Sequence, residues 1–141
     1  MQARAIAEGS YTVRAAASRD VPSYLSASDA GLAFIKPCFS KLASSPTKYA
    51  EYLACGLPLI ISAGIGDSDA LITREKVGAL VGDFTPGEYA RAAAVIEDFV
   101  GDREATRTHA RSVAGTLFDV AKVGVERYVR LYQRVLNSAN R

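Results

Sequence analysis

The sequence has 141 residues, 49% of them apolar and 23% charged, with a net charge of +2 at neutral pH. That length suits one domain, residues 1–141, long enough to bury a core, and the composition is ordinary for a globular protein. A charge so small, with no basic tract and dispersed C-terminal arginines, argues against nucleic acid, and no apolar run approaches the roughly 20 residues that span a bilayer.

Gln2 to Ala7 reads as the remnant of a helix stopped at Gly9, and Tyr11 to Ala15 as a short strand. Nothing here resembles a signal peptide, because the segment after Met1 lacks an apolar core. Ser18 or Asp20 is placed to cap the next helix, with Pro22 near its start, Tyr24, Leu25 and Ala27 available for packing, and Asp29 at its end. Ala30 to Ile35 is an apolar run bounded by Lys36-Pro37, which predicts a buried strand. Lys36 to Ser44 then forms a loop at the C-terminal end of that strand, where ligands of open α/β sheets sit. Lys36 is a candidate anion contact from this loop, with a solvated lysine as the equal alternative.

Ser44 to Gly66, SSPTKYAEYLACGLPLIISAGIG, is the most informative stretch. Ser45 is suited to cap a helix and Pro46 to occupy its first position, where a missing N–H has no partner to lose. Gly56 tolerates the left-handed conformation that ends a helix, and Pro58 cannot continue one. Tyr49, Tyr52 and Leu53 fall on one face, the expected core side, while Lys48, Glu51 and Cys55 share another. At the start of this second face the free N–H groups of Ser45 to Lys48, Thr47 among them, favour an anion such as a diphosphate. A carboxylate one turn further in, Glu51, has the reach to accept hydrogen bonds from a ribose diol. Spacing alone favours a solvated Lys48–Glu51 face and a Ser45 that only caps, because charged helix faces are usually just solvated. Leu59 to Ile61 predicts a strand covered on both faces.

Ser62 to Asp67 is a second strand-to-helix loop, whose Gly-x-Gly is a weak phosphate signal beside the repelling Asp67. Asp67 or Ser68 caps a helix running to about Lys76, and Ala79 to Val81 supplies the next strand. Thr85-Pro86-Gly87-Glu88 reads as a capping box, with Phe84 stapled onto Tyr89 and a core stripe of Tyr89, Ala93, Ile96 and Val100. Gly101-Asp102 ends that helix and caps another, on which the lone His109 is expected at the surface. A last helix runs from about Val120 to Leu136 with Val125, Tyr128, Leu131, Tyr132 and Val135 along one side, and Asn137 to Arg141 are expected to fray. The chain's two cysteines, Cys38 and Cys55, read as reduced cytoplasmic thiols, and a single histidine without clustered cysteines makes a zinc site improbable. Strands alternating with helices predict an α/β fold, a doubly wound parallel sheet of Rossmann-like type.

The central stretch resembles the donor-binding segment of the retaining glycosyltransferases built from two Rossmann-like domains (the GT-B type), which include many bacterial polysaccharide transferases. Lys48, Glu51, Tyr52, Leu53, Ala54, Gly56, Pro58 and Ile60 stand where that family has K-x-x-E-Y-L-A-x-G-x-P-x-I, and the likeness extends from Val21-Pro22 and Asp29 to Val77-Gly78 and Leu80-Val81. It covers about residues 11–136. What it implies is the C-terminal, donor-nucleotide-binding domain of a hexosyltransferase-like enzyme, truncated at its N-terminal side, with the family's N-terminal acceptor-binding domain and diphosphate-gripping Arg and Lys lying outside the sequence. The donor is a nucleoside diphosphate sugar and no further cofactor or metal is implied. The implied donor-nucleotide-binding residues are Glu51 for the ribose, Ser45, Thr47 and Lys48 for the diphosphate, and Lys36.

Where many members carry an acidic pair separated by seven residues, Glu51 matches the second and Ala43 stands at the first. In the resembled family the last helix commonly crosses onto the other domain, and peripheral membrane association of the complete enzyme is compatible with it. A strand is missing beside Ala30 to Ile35 in such a fold, so the isolated chain is expected to self-associate, or to move Tyr11 to Ala15 into the gap. Two other functions remain open: a non-catalytic ligand- or partner-binding module, and a sugar-nucleotide epimerase of the same architecture.

Overall fold

The computed structural model describes residues 6–139. In chain order its elements are α1 (Val21–Ser26), β1 (Gly31–Ala33), α2 (Thr47–Ala54), β2 (Leu59–Ser62), α3 (Ser68–Glu75), β3 (Gly78–Val81), α4 (Pro86–Gly101), α5 (Arg103–Leu117) and α6 (Val125–Ala139). A 3-10 turn occupies Phe39–Ala43 and a π-helical turn Val120–Gly124. The fold is mixed α/β, with one parallel sheet in the order β1-β2-β3.

Register decides which strand residues share a face. Leu32, Ile60 and Ala79 stand abreast, as do Ala33, Ile61 and Leu80. Ala33, Leu59 and Ile61 pack with Tyr49 and Leu53 of α2 and with Ala110, Val113 and Ala114 of α5, forming the larger core. On the opposite face Ile60, Ala79 and Val81 meet Ala92 and Val95 of α4. The sheet is therefore covered by helices on both sides. Gly31 is required at the start of β1, because a Cβ there would run into the ring of Tyr52. Gly56, at φ +81°, ends α2 in the left-handed conformation as expected.

Several expectations need correction. Tyr11 to Ala15 forms no strand: the segment is exposed throughout and pairs with nothing among the described residues, so it does not fill the sheet edge. The Gln2 to Ala7 helix lies mostly outside the described residues. The strand predicted over Ala30 to Ile35 is confined to Gly31–Ala33, and Leu32 is 57% and Phe34 43% exposed. The reason is position. β1 is the edge strand, and α4 packs on β3 and β2 without reaching across to Leu32. Phe34 is only partly sheltered, by edge-on contacts with Phe84 and Tyr89 at 6.2 and 5.8 Å.

The helix ends also differ. Asp20 and Asp67 occupy N-cap positions without a side-chain cap bond, and α1 ends at Ser26, before Asp29. Thr85 accepts from the Glu88 N–H, but the Glu88 carboxylate turns to the Gly82 N–H and to Arg91, so only half of the capping box forms. In α4 the buried stripe is Ala92 and Ile96, leaving Tyr89, Ala93 and Val100 exposed. The last helix begins at Val125 after the π-helical turn and keeps Asn137 and Ser138 helical. Its apolar side is not core, since Val125 through Ser138 are exposed. No helix among the described residues is long and apolar enough to cross a membrane.

Candidate functional site

The starts of α2 and α3 both follow the C-terminal ends of parallel strands, so they lie at the same end of the sheet. Two contacts hold their loops together. The Gly66 N–H donates to the Lys41 carbonyl at 3.0 Å, and a Cβ at Gly66, whose φ is +53°, would collide with the Ser44 carbonyl oxygen. The loop before α3 is braced further by Asp69, whose carboxylate accepts from the Gly64 N–H at 3.0 and 3.1 Å.

The start of α2 departs from the expected cap in a way that matters chemically. Ser45 does not cap; Pro46 occupies the N-cap position in an extended conformation, and Thr47 is the first helical residue. Pro46 has no N–H, and the Tyr49 N–H is taken by the Pro46 carbonyl at 3.1 Å. Among the described residues the N–H groups of Thr47 and Lys48 have no acceptor. Two free amides and the positive end of the helix dipole thus follow Ser45 in the chain, and the exposed Lys48 side chain belongs to the same first turn.

Glu51 lies one turn further along α2, exposed and without an ion-pair or hydrogen-bond partner among the described residues. It stands between two surface depressions. One, about 570 Å³, is shared with Ser18, Val21, Pro22, Leu25 and Cys55. The other, about 470 Å³, is shared with Arg111, Gly115, Phe118 and Asp119 of α5 and its exit. Lys36 is exposed in the loop after β1, and no hydrogen bond or ion pair joins it to α2 among the described residues. The structure therefore places Thr47, Lys48 and Glu51 on α2, with Ser45 just before its N-cap, and joins Lys36 to none of them by a hydrogen bond or ion pair among the described residues.

Some residues at this end of the sheet carry no sequence signal. A further cavity of about 470 Å³ opens at Ser45 and Pro46 and is lined by Tyr49, Asp67, Ser68, Arg74 and Arg127, with Leu71 and Phe118 as apolar wall. These come from α2, α3, the end of α5 and α6, up to about eighty residues apart, so no local pattern marks them. Tyr49 and Ser68 are almost wholly buried, and neither hydroxyl has a hydrogen bond of acceptable geometry. Burial pushes the Tyr49 phenol up, against the neighbouring Ser68 hydroxyl that acts to lower it. Among the described residues, no group of three or more His, Cys, Asp or Glu side chains is placed to hold a metal. Comparison with family models, curated proteins and solved structures returned no match to the chain.

Proposed function

We propose that this chain is the donor-binding half of a glycosyltransferase, a Rossmann-like domain that holds a nucleoside diphosphate sugar in the cytoplasm. The observation that carries the reading is the start of α2, where the Thr47 and Lys48 N–H groups are unpartnered among the described residues just after Ser45, with an exposed Lys48 in the same turn and a free carboxylate at Glu51 one turn away. That is the polarity order of a nucleoside diphosphate: anion first, diol next. The diphosphate sits on the free amides, and Glu51 accepts from the ribose hydroxyls. Because the leaving group in sugar transfer is an anionic nucleotide, positive charge fixed where charge develops is the main contribution these residues make to catalysis. Lys36 is a weaker member of the set, an exposed lysine on the loop after β1.

Under this reading the acceptor is bound by a second domain, and the uncovered apolar stripe of α6 is a surface for it. The 141-residue chain alone then binds donor but transfers no sugar, since two domains must close to exclude water and orient the reactants.

Calorimetric titration of the chain with UDP and with GDP tests the proposal. Saturable binding of one nucleotide is expected, weakened in Glu51→Ala by about 1.5–3 kcal/mol, the scale of a charge-assisted hydrogen bond. Absence of binding to both, or binding indifferent to Glu51, leaves a non-catalytic module as the better account.

A further inference from the structure

We infer that Asp69, on the first turn of α3, is a positioning residue for the anion bound at the start of α2, acting through residues 64–66 to hold the stretch that leads into that helix. This rests on the nucleotide's diphosphate occupying the start of α2. The loop from Ser62 to Asp67 carries the Gly-x-Gly that reads in sequence as a phosphate signal. A phosphate loop needs free amides, and two of these are already engaged: the Gly64 N–H with both carboxylate oxygens of Asp69, and the Gly66 N–H with the Lys41 carbonyl. Its glycines serve a different end. Gly64 and Gly66 stand at φ +77° and +53°, with the fully buried Ile65 between them, so the loop is a tight bend pinned into the core at its centre.

What this bend holds has little else to hold it. Residues 36–45 include no buried residue, and Phe39 and Leu42 point into solvent, so no apolar side chain anchors the stretch. Among the described residues, the bond from the Gly66 N–H is the one hydrogen bond that reaches it from elsewhere in the chain. The Gly66 Cα also lies so close to the Ser44 carbonyl that any side chain at this position would displace it. Ser45, Pro46 and the free amides of Thr47 and Lys48 follow directly. The contacts thus run without a break from the Asp69 carboxylate to Gly64, through Ile65 to Gly66, and on to Lys41 and Ser44. With Asp69 unable to accept, the stretch before α2 samples other positions, and a cradle in place a fifth of the time binds about fivefold more weakly. A carboxylate in the first turn of α3 also suits the dipole of its own helix, a role that needs the charge. The brace needs only an acceptor oxygen, so Asp69→Asn separates the two roles.

The test is calorimetry of the full chain with UDP and with GDP, repeated in Asp69→Ala and Asp69→Asn at a temperature where thermal melts show each protein folded. For the nucleotide that binds, Asp69→Ala is expected to weaken affinity about fivefold or more, while Asp69→Asn, whose amide oxygen still accepts from Gly64, stays within about twofold of the parent. Coupling of this kind is reciprocal, so saturating nucleotide should slow hydrogen exchange at the Gly64 and Gly66 amides of the parent. Should Asp69→Ala fail to fold, the asparagine variant and the exchange measurement carry the test. If the nucleotide binds in a Glu51-dependent manner but Asp69→Ala binds as tightly as the parent, the inference is overturned while the donor-binding reading stands. The same holds if Asp69→Asn loses the fivefold or more expected of Asp69→Ala, or if the two glycine amides exchange no more slowly in the complex. If neither nucleotide binds, both fall together.

Discussion

Glu88 shows how much one side chain can settle that its sequence context leaves open. The motif around it promises a reciprocal cap, yet its carboxylate accepts from the Gly82 N–H at 3.1 Å and from Arg91, which also donates to the Leu80 carbonyl at 2.6 Å. Glu88 thereby ties the exit of β3 to the first turn of α4. Its Arg91 partner first, and the Gly82 N–H second, hold its pKa at about 2 against an ordinary 4.5. A carboxylate lowered on folding stabilises fully above its unfolded pKa and loses that contribution as pH falls through the folded value. Thermal melts from pH 7 to 2 should therefore show a loss of stability between about 4.5 and 2 that is shallower in Glu88→Gln, which starts from a lower melting temperature at pH 7. Identical slopes in the two proteins would mean that the bridge does not persist in solution.

Among the elements, α2 and β2 were legible because their signals are local: a Gly stop, a core face at helical spacing and an unbroken apolar run. The buried Tyr49, Leu53, Leu59 and Ile61 lie where that pattern puts them. The same logic misreads β1, because an apolar run does not say whether a strand is central or at the edge, and Leu32 is exposed for want of a helix above it. It misses the cavity at Ser45 and Pro46 altogether, since side chains from four segments meet there only in the fold. How α1 is held is likewise invisible in sequence. α1 contains no fully buried residue, and α5 fastens its exit: Arg107 donates to the Ser26 and Ser28 carbonyls at 3.0 and 2.8 Å, and Arg103 pairs with Asp29 at 2.6 Å. Replacing Arg107 by Ala should cost about 1.5–3 kcal/mol in urea unfolding, the range for hydrogen bonds to a charged donor. Limited proteolysis should then cut first within residues 17–30. A variant as stable and as resistant as the parent would show that packing alone holds α1.

Considered as a whole, the molecule buries apolar residues on both faces of its sheet and leaves a further apolar surface bare. Along α6, Tyr128 is 65%, Leu131 57% and Tyr132 63% exposed, on a helix of 15 residues, a length at which an isolated helix is marginal in water. Apolar patches of several hundred square ångströms usually find partners, and for the chain in isolation the partner at hand is another copy. Light scattering at tens of micromolar should report a mass above the monomer, reduced to the monomer in a Tyr128→Glu, Tyr132→Glu double variant. A monomeric parent would mean that α6 is stable alone. The edge at β1 has a consequence of another kind. The Gly31 N–H donates inward to the Pro58 carbonyl and the Ile35 N–H to the Ser62 hydroxyl, both at 2.9 Å, so strand alternation turns the Leu32 and Phe34 amides outward. In deuterated water those two amides would trade their protons freely, while the inward amides of the same short strand would wait for an opening of the sheet. Neighbouring residues would thus record two clocks, one set by solvent and the other by the stability of the domain.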